Sequence, residues 1–113
     1  VAKLFAECGV ITISSFITPT NELRRLAREV VGADDLLEVY IKASFETCQA
    51  RDPKGLYAKV VAGEVERFTG KDSAFEEPEN PDLVIDTEIL DEAQCLTLLL
   101  GAVIHKTTAE SPN

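Results

Sequence analysis

The chain has 113 residues, of which 45% are hydrophobic, and its formal net charge is −9. This length corresponds to one small domain, and the hydrophobic fraction is sufficient for a packed core. The negative charge argues against binding to nucleic acid or to an anionic membrane, because both need broad positive surfaces.

The first third of the chain predicts a helix, a strand and a second helix. Gly9 ends the first helix, and β-branched residues at 10–16 (VITISSF) predict a buried strand. A second helix is predicted from Pro19, with Thr18 as its N-cap, and ends at Gly32. Its apolar face consists of Leu23, Leu26, Ala27, Val30 and Val31. The residues that lie off this face include Arg24, Arg25 and Arg28.

The middle of the chain predicts a strand followed by two helices and a loop. The strand covers 36–42 (LLEVYIK), and Ser44 caps a short helix that runs through Arg51. Asp52 and Pro53 predict the start of another helix, which extends to about residue 62. Polar residues and two prolines predict a loop over 64–81.

The last third predicts a strand (DLVID) and a final helix, which Asp91 opens with Gln94 in capping-box position. This helix is apolar almost all round, so we expect it to pack on a sheet. Alternation of helices and strands predicts an α/β protein with a parallel sheet between helices. Ligands then bind at the carboxyl ends of the strands, which are followed here by loops 16–20, 43–54 and 86–90.

Three features concern the location and extent of the protein. The cysteines, Cys8, Cys48 and Cys95, are odd in number and form no Cys-x-x-Cys motif, which is typical of reduced, buried thiols in a cytoplasmic protein. The longest apolar run, at 95–104, is too short to span a bilayer. The chain has no methionine and opens with VAKLFAECG, so we expect it to be a piece of a longer protein.

Positive charge is concentrated in residues 51–71, which favours binding of a small anionic ligand; a solvated helix of mixed charge is the alternative. Five of the 11 basic residues lie there: Arg51, Lys54, Lys59, Arg67 and Lys71. Gly70 and Lys71 do not end a phosphate-binding loop, because Gly63 is too distant and Asp72 replaces the required hydroxyl.

Metal chemistry is not predicted. The single histidine, His105, lacks carboxylates at ligand spacing, so we interpret it as a surface or helix-end residue. The carboxylates at 76–92 are scattered around prolines, and we interpret them as a solvated face.

Several motifs, in the right order and at the right spacing, resemble the adenylyl-sulfate kinase (APS kinase) family over about residues 1–86, and the resemblance fades through the last helix. The family's lid resembles the stretch RDPKGLYAKVVAGEVERFTGKDSAFEEPENPDL at 51–83. Its preceding loop and helix resemble SSFITP with the arginines that follow, and its next strand and helix resemble LLEVYIKASFETCQARDPKG. The resemblance implies a three-layer parallel sheet of the P-loop kinase type, incomplete at the N-terminus. Residues 1–113 would be the C-terminal part of one such domain, with its lid at about 51–81.

The resemblance also implies phosphorylation of adenosine 5′-phosphosulfate (APS) at its 3′-hydroxyl, which gives PAPS in sulfate assimilation. MgATP is the expected co-substrate, and no tightly bound cofactor is expected. The family's phosphate-binding loop and DGDN motif lie upstream of the matched region, so we expect this chain alone to be inactive. A homodimer or a fusion to ATP sulfurylase is compatible with the family. Two alternatives are a non-catalytic PAPS- or APS-binding regulatory domain of an ATP sulfurylase and an α/β piece that binds nothing in isolation.

Site residues follow from the same resemblance. The residues implied to contact APS are Ile17, Thr18, Lys54, Arg67 and Phe68. Those implied to surround the ATP adenine are Arg51, Thr87, Leu90 and Cys95. Thr18 stands where the family has a serine to which a catalytic role is sometimes assigned. Its hydroxyl preserves a binding role, while direct in-line transfer requires no covalent one.

Overall fold

A computed structural model of the chain describes residues 1–52, 55 and 75–108. The described elements are α1 (Ala2–Glu7), α2 (Asn21–Val31), a 3₁₀ turn (Ala33–Asp35), β1 (Val39–Lys42), α3 (Phe45–Arg51), β2 (Leu83–Asp86) and α4 (Glu92–Thr108). The helix predicted from Asp52 and the first part of the predicted 64–81 loop lie outside the described residues.

The two strands pair in parallel, as predicted. Val39 lies opposite Leu83, and Lys42 lies opposite Asp86. Both strands are rich in β-branched side chains, which suit a pleated surface. Ile85 is only 1% exposed and is the one buried hydrophobic residue in the described part of the chain. The core described is therefore small and centred on β2, against which α4 packs.

The strand predicted at 10–16 is wrong. This segment has no regular secondary structure and is exposed throughout. A strand needs a neighbour for its backbone N–H and C=O groups. Among the described residues the sheet consists of β1 and β2 alone, and neither pairs with this segment. The backbone N–H of Val10 instead donates to the Phe5 carbonyl, 2.9 Å away, just past the end of α1.

α2 begins two residues later than predicted. Its N-cap is Thr20, whose extended backbone lets Oγ1 accept from the Leu23 N–H at 3.2 Å. Pro19 lies outside the helix, and its carbonyl accepts a long-range hydrogen bond. The predicted end is confirmed, because Gly32 adopts a φ of 100°, a conformation in which other residues are strained.

The apolar face of α2 is not its buried face. Leu23, Leu26 and Val30 are each about half exposed, whereas Arg24 is only 6% exposed. The Arg24 guanidinium lies 5.2 Å from the centre of the Phe75 ring, and its Nη1 donates to Asn21 Oδ1 at 2.7 Å. Among the described residues, Nη2 has no hydrogen-bond partner. An aromatic partner distant in sequence thus decides which side of α2 is covered.

The predicted caps of the last two helices are confirmed. Ser44 Oγ accepts from the Thr47 N–H at 3.1 Å at the start of α3. Asp91 and Gln94 form a reciprocal capping box, with each backbone N–H donating to the other side chain at 2.9 and 2.8 Å. Much of the apolar surface of α4 remains exposed. No helix within the described ranges combines the length and hydropathy needed to cross a membrane.

Candidate functional site

The candidate site lies where the two parallel strands end. β1 ends at Lys42 and β2 at Asp86, so the segments that follow them meet at one edge of the sheet. Thr87 joins the two ends, because its backbone N–H and its hydroxyl both donate to the Lys42 carbonyl at 3.0 Å. The predicted meeting of the loops after these strands is therefore confirmed for the described residues.

Arg51, in the last turn of α3, reaches across this edge. Its Nη1 donates to Thr87 Oγ1 at 2.8 Å, and its Nη2 donates to the Thr87 carbonyl at 2.9 Å. The two acceptors match the planar fork of a guanidinium, which a lysine cannot reproduce. A cation is also favourable at the carboxyl end of a helix. The orientation of the guanidinium plane is thereby set before any ligand arrives.

Glu88 holds the other end of α3. Its carboxylate accepts from the Ser44 N–H at 3.1 Å and from the hydroxyls of Ser44 and Thr47. The hydrogen bond from Thr47, followed by that from the Ser44 backbone, lowers the pKa of Glu88 below its ordinary value of 4.5. A carboxylate at a helix N-terminus is also favoured by the helix dipole. Together, Glu88 and Arg51 attach both ends of α3 to the segment that follows β2.

An open cleft of about 300 Å³ lies beside the Arg51–Thr87 pair. It is lined by Arg51, Thr87, Leu90, Glu92 and Cys95. All four residues implied to surround the ATP adenine are therefore brought together in one place. A cleft lined by a planar cation together with Leu90 and Cys95 is chemically suited to a flat aromatic ring.

Ile17 and Thr18, the described residues implied to contact APS, lie in the 17–20 turn. This turn is attached to the segment that contains Glu76 and not to the edge of the sheet. Ile17 is exposed and Thr18 half-buried. The Pro19 carbonyl accepts from the Glu76 N–H at 2.8 Å, and the Asn21 N–H donates to Glu76 Oε1 at 3.1 Å. Lys54, Arg67 and Phe68 lie outside the described residues, so their positions relative to this turn stay predictions.

Sequence reasoning missed the acidic residues that organise these segments. Within 76–92, the side chains of Glu76, Glu79, Asp82 and Glu88 are exposed, as a solvated face implies, but they also bind partners in α2 or before β1 and α3, which the sequence interpretation did not include. Asp82 accepts from the Glu38 N–H at 2.7 Å and from Arg28 at 3.4 Å. The spacing of three between Glu79 and Asp82, matched by that between Arg25 and Arg28, is the sequence signal that could have indicated these two ion pairs.

A second cleft, of about 60 Å³, lies beside α2 and includes Arg24, Arg25 and Arg28 in its lining. Arg25 pairs with Glu79 at 3.3 Å, and Arg28 pairs with Asp82 at 3.4 Å. This second cleft is a poor site for a nucleotide-sized anion, because its volume is small and its arginines at 25 and 28 are already in ion pairs.

The thiols and the histidine do not form a metal centre in the described part of the chain, where no cluster of three metal-binding side chains occurs. All three cysteines are free, but the prediction that they are buried is wrong. Cys8 is exposed, and Cys48 and Cys95 are half-buried, because the described core is too small to cover them.

Comparison with known proteins shows that the chain is similar to one family. The family model for adenylylsulphate kinase matches residues 1–86. The adenylyl-sulfate kinase of Prochlorococcus marinus is 48% identical over 105 residues, covering 93% of this chain and 52% of the relative. That of Bacillus licheniformis is 49% identical over 107 residues, covering 95% of this chain and 54% of the relative. The chain thus spans about half the length of these relatives.

A solved structure of similar fold is the APS kinase of Mycobacterium tuberculosis in complex with AMPPNP and APS. It superposes with a TM-score of 0.73 at 40% sequence identity, covering 87% of this chain and 58% of that one. This similarity confirms the predicted fold class, of which the described helices and parallel strands form a part.

Proposed function

Because the chain belongs to the adenylyl-sulfate kinase family, we propose that it is part of an enzyme that phosphorylates APS at the 3′-hydroxyl. The phosphoryl donor is MgATP, and the product, PAPS, serves sulfate assimilation. The observation that carries the proposal is the cleft at the carboxyl ends of β1 and β2. Its lining includes Arg51, Thr87, Leu90 and Cys95, the residues that the family resemblance assigns to the ATP adenine.

In this proposal the cleft receives the adenine of ATP. The Arg51 guanidinium, held by its two hydrogen bonds to Thr87, faces one side of the ring. Leu90 and Cys95 supply apolar contact. Binding requires little rearrangement of Arg51, because its plane is already set, and such preorganisation lowers the entropic cost of association.

APS is proposed to bind along the 17–20 turn. Ile17 supplies backbone and apolar contact, and the Thr18 hydroxyl supplies a hydrogen bond. Lys54 and Arg67 would offset the charge of the phosphosulfate, while the Phe68 ring would cover the adenine of APS. These residues hold the substrate, and no covalent intermediate on Thr18 is required.

Phosphoryl transfer depends mainly on positioning and on neutralising charge. We propose that residues 1–113 form the C-terminal part of the domain, with the lid at about 51–81. The phosphate-binding loop that positions MgATP would come from outside these 113 residues. The full-length protein is proposed to be cytoplasmic and to act as a homodimer or in fusion with ATP sulfurylase.

The test compares the full-length protein with the 113-residue chain. Each is incubated with MgATP and APS, and PAPS is quantified by chromatography. The full-length protein is expected to form PAPS, and the 113-residue chain is expected to show negligible turnover. Robust turnover by the 113-residue chain would contradict the need for upstream groups. Tight PAPS binding without turnover by the full-length protein would instead favour the regulatory alternative.

A further inference from the structure

Glu76 bonds the chain on both sides of Thr20. Its backbone N–H donates to the Pro19 carbonyl at 2.8 Å, and its Oε1 accepts from the Asn21 N–H at 3.1 Å. Thr20 is itself the N-cap of α2, with Oγ1 accepting from the Leu23 N–H. Glu76 and Thr20 thus satisfy two of the N–H groups that a helix leaves unpaired at its start.

These bonds fix the path from the 17–20 turn into α2. Pro19 has a restricted φ, and the residue before a proline is confined mainly to extended conformations. Once the Pro19 carbonyl is held by Glu76, the peptide that follows Thr18 has little remaining freedom. The Glu76 carboxylate also lies at the positive end of the α2 dipole, which favours this arrangement.

We propose that Glu76 is a positioning residue that holds the 17–20 turn in the conformation that binds APS. This inference rests on the proposed function, because it takes Ile17 and Thr18 as contacts of APS. The Glu76 carboxylate acts through the Asn21 N–H, while the bond from the Glu76 backbone N–H to the Pro19 carbonyl does not depend on the side chain. Loss of the carboxylate is therefore expected to weaken APS binding selectively and to leave the ATP cleft beside Arg51 unaffected.

The same segment has attachments that do not involve the Glu76 side chain. The Glu79 N–H donates to Asn21 Oδ1 at 3.2 Å, and the Phe75 ring lies 5.2 Å from the Arg24 guanidinium. The Tyr40 ring stacks on Phe75 at a centroid distance of 6.2 Å. A substitution of Glu76 should therefore remove the bond to Asn21 without detaching the segment from α2.

The experiment uses the full-length protein and three variants: Glu76→Ala, Glu76→Gln and Glu79→Ala. Glu79→Ala is the matched control, because it removes a carboxylate from the same segment while the Glu79 backbone bond to Asn21 remains. Glu76→Ala is expected to raise the KM for APS about tenfold, as loss of one charge-assisted hydrogen bond implies, and to change the KM for ATP less than about twofold. Glu76→Gln keeps an oxygen acceptor and should restore most of the affinity for APS.

Amide hydrogen exchange provides a readout that does not depend on turnover. Exchange of the Asn21 amide should be faster in Glu76→Ala than in the wild type or in Glu79→Ala. The Gly32 amide, bonded to the Arg28 carbonyl at 2.9 Å, is the internal reference and should not change.

The proposal is overturned if Glu76→Ala leaves the KM for APS unchanged, or if it raises the KM for both substrates together as general destabilisation would. It is also overturned if Glu79→Ala has the same effect. If the wild-type protein does not phosphorylate APS, the proposed function and this role fail together. If the wild type is active and the Glu76→Ala variant has the same KM for APS, only the positioning role is overturned.

Discussion

Arg51 and Thr87 are joined by two hydrogen bonds, from Nη1 to Oγ1 at 2.8 Å and from Nη2 to the carbonyl oxygen at 2.9 Å. They connect the end of α3 to the residue that follows β2, although the two residues are 36 positions apart in the chain. The pair lines the cleft that we propose for the ATP adenine, so we expect both nucleotide affinity and local structure to depend on it.

Arg51→Lys tests this pair directly. A lysine keeps the charge but cannot bond both acceptors in one plane, so the affinity for ATP should fall about tenfold. Isothermal titration of the full-length protein with AMPPNP measures the change. Arg25→Lys is the matched control, because Arg25 is an exposed residue whose ion pair within the described ranges is with Glu79, at 3.3 Å. Equal affinity in the Arg51→Lys variant and the wild type would remove Arg51 from the nucleotide site.

Because the core is small, an isoleucine-to-valine substitution should lower the free energy of unfolding by different amounts in β1 and β2. Ile85 is 1% exposed and lies opposite Ile41, which is 57% exposed. Ile85→Val should lower the free energy of unfolding by about 1 kcal/mol, because it leaves a cavity. Ile41→Val should have an effect below about 0.5 kcal/mol, since its side chain is largely in water. Urea unfolding of both variants measures the difference, and equal losses would show that Ile85 is not the centre of the core.

The lowered pKa of Glu88 predicts how stability changes with pH. Because the folded state favours the ionised carboxylate, its contribution is present above pH 4.5 and is lost as the pH falls through the lower folded-state pKa. Glu88→Gln removes this dependence. The difference in urea midpoint between wild type and Glu88→Gln should therefore be largest near neutral pH and shrink below about pH 4.5. Glu46→Gln, which makes the same charge change on α3, is the control. A gap that stays constant with pH would contradict this role of Glu88.

Thr18 is expected to bind the substrate without forming a covalent intermediate. In the full-length protein, Thr18→Ser should retain activity, and Thr18→Ala should lower kcat/KM for APS about tenfold through loss of one hydrogen bond. Thr12→Ala, in the same exposed segment, should behave as the wild type. Radiolabelled γ-phosphate of ATP should not be trapped on the protein. A stable phosphothreonine at position 18 would contradict direct in-line transfer.

The elements predicted well are those decided by neighbouring residues. Ser44 caps α3, Asp91 and Gln94 cap α4, and Gly32 ends α2, because each depends on hydrogen bonds or backbone angles within one turn. The meeting of the loops that follow β1 and β2 could be predicted, because parallel strands end at the same edge of a sheet. Leu90 and Cys95, which line the cleft beside Arg51, were predicted from the family resemblance and not from periodicity.

Local pattern failed where the outcome depends on distant partners. The apolar run at 10–16 forms no strand, since β-branched residues cannot supply the neighbouring strand that they require. The apolar stripe of α2 is half exposed, while Arg24 is covered through its contacts with Phe75 and Asn21.

The caps of α3 and α4, the end of α2 at Gly32, the strands β1 and β2, and family membership were readable from the order of residues, because short-range sterics and hydrogen bonding act between neighbours along the chain. The attachment of Glu76 to the start of α2, of Glu88 to the start of α3, and of Arg51 to Thr87 came only with the folded chain. Each of these contacts closes a loop of tens of residues, and for the N–H groups of Asn21 and Ser44 many carboxylates of this acidic chain could have served as the acceptor. The parallel pairing of β1 with β2 selects the partners at the carboxyl ends of the strands, because it brings the Ser44 N–H within about 3 Å of Glu88 and the Arg51 guanidinium within about 3 Å of Thr87.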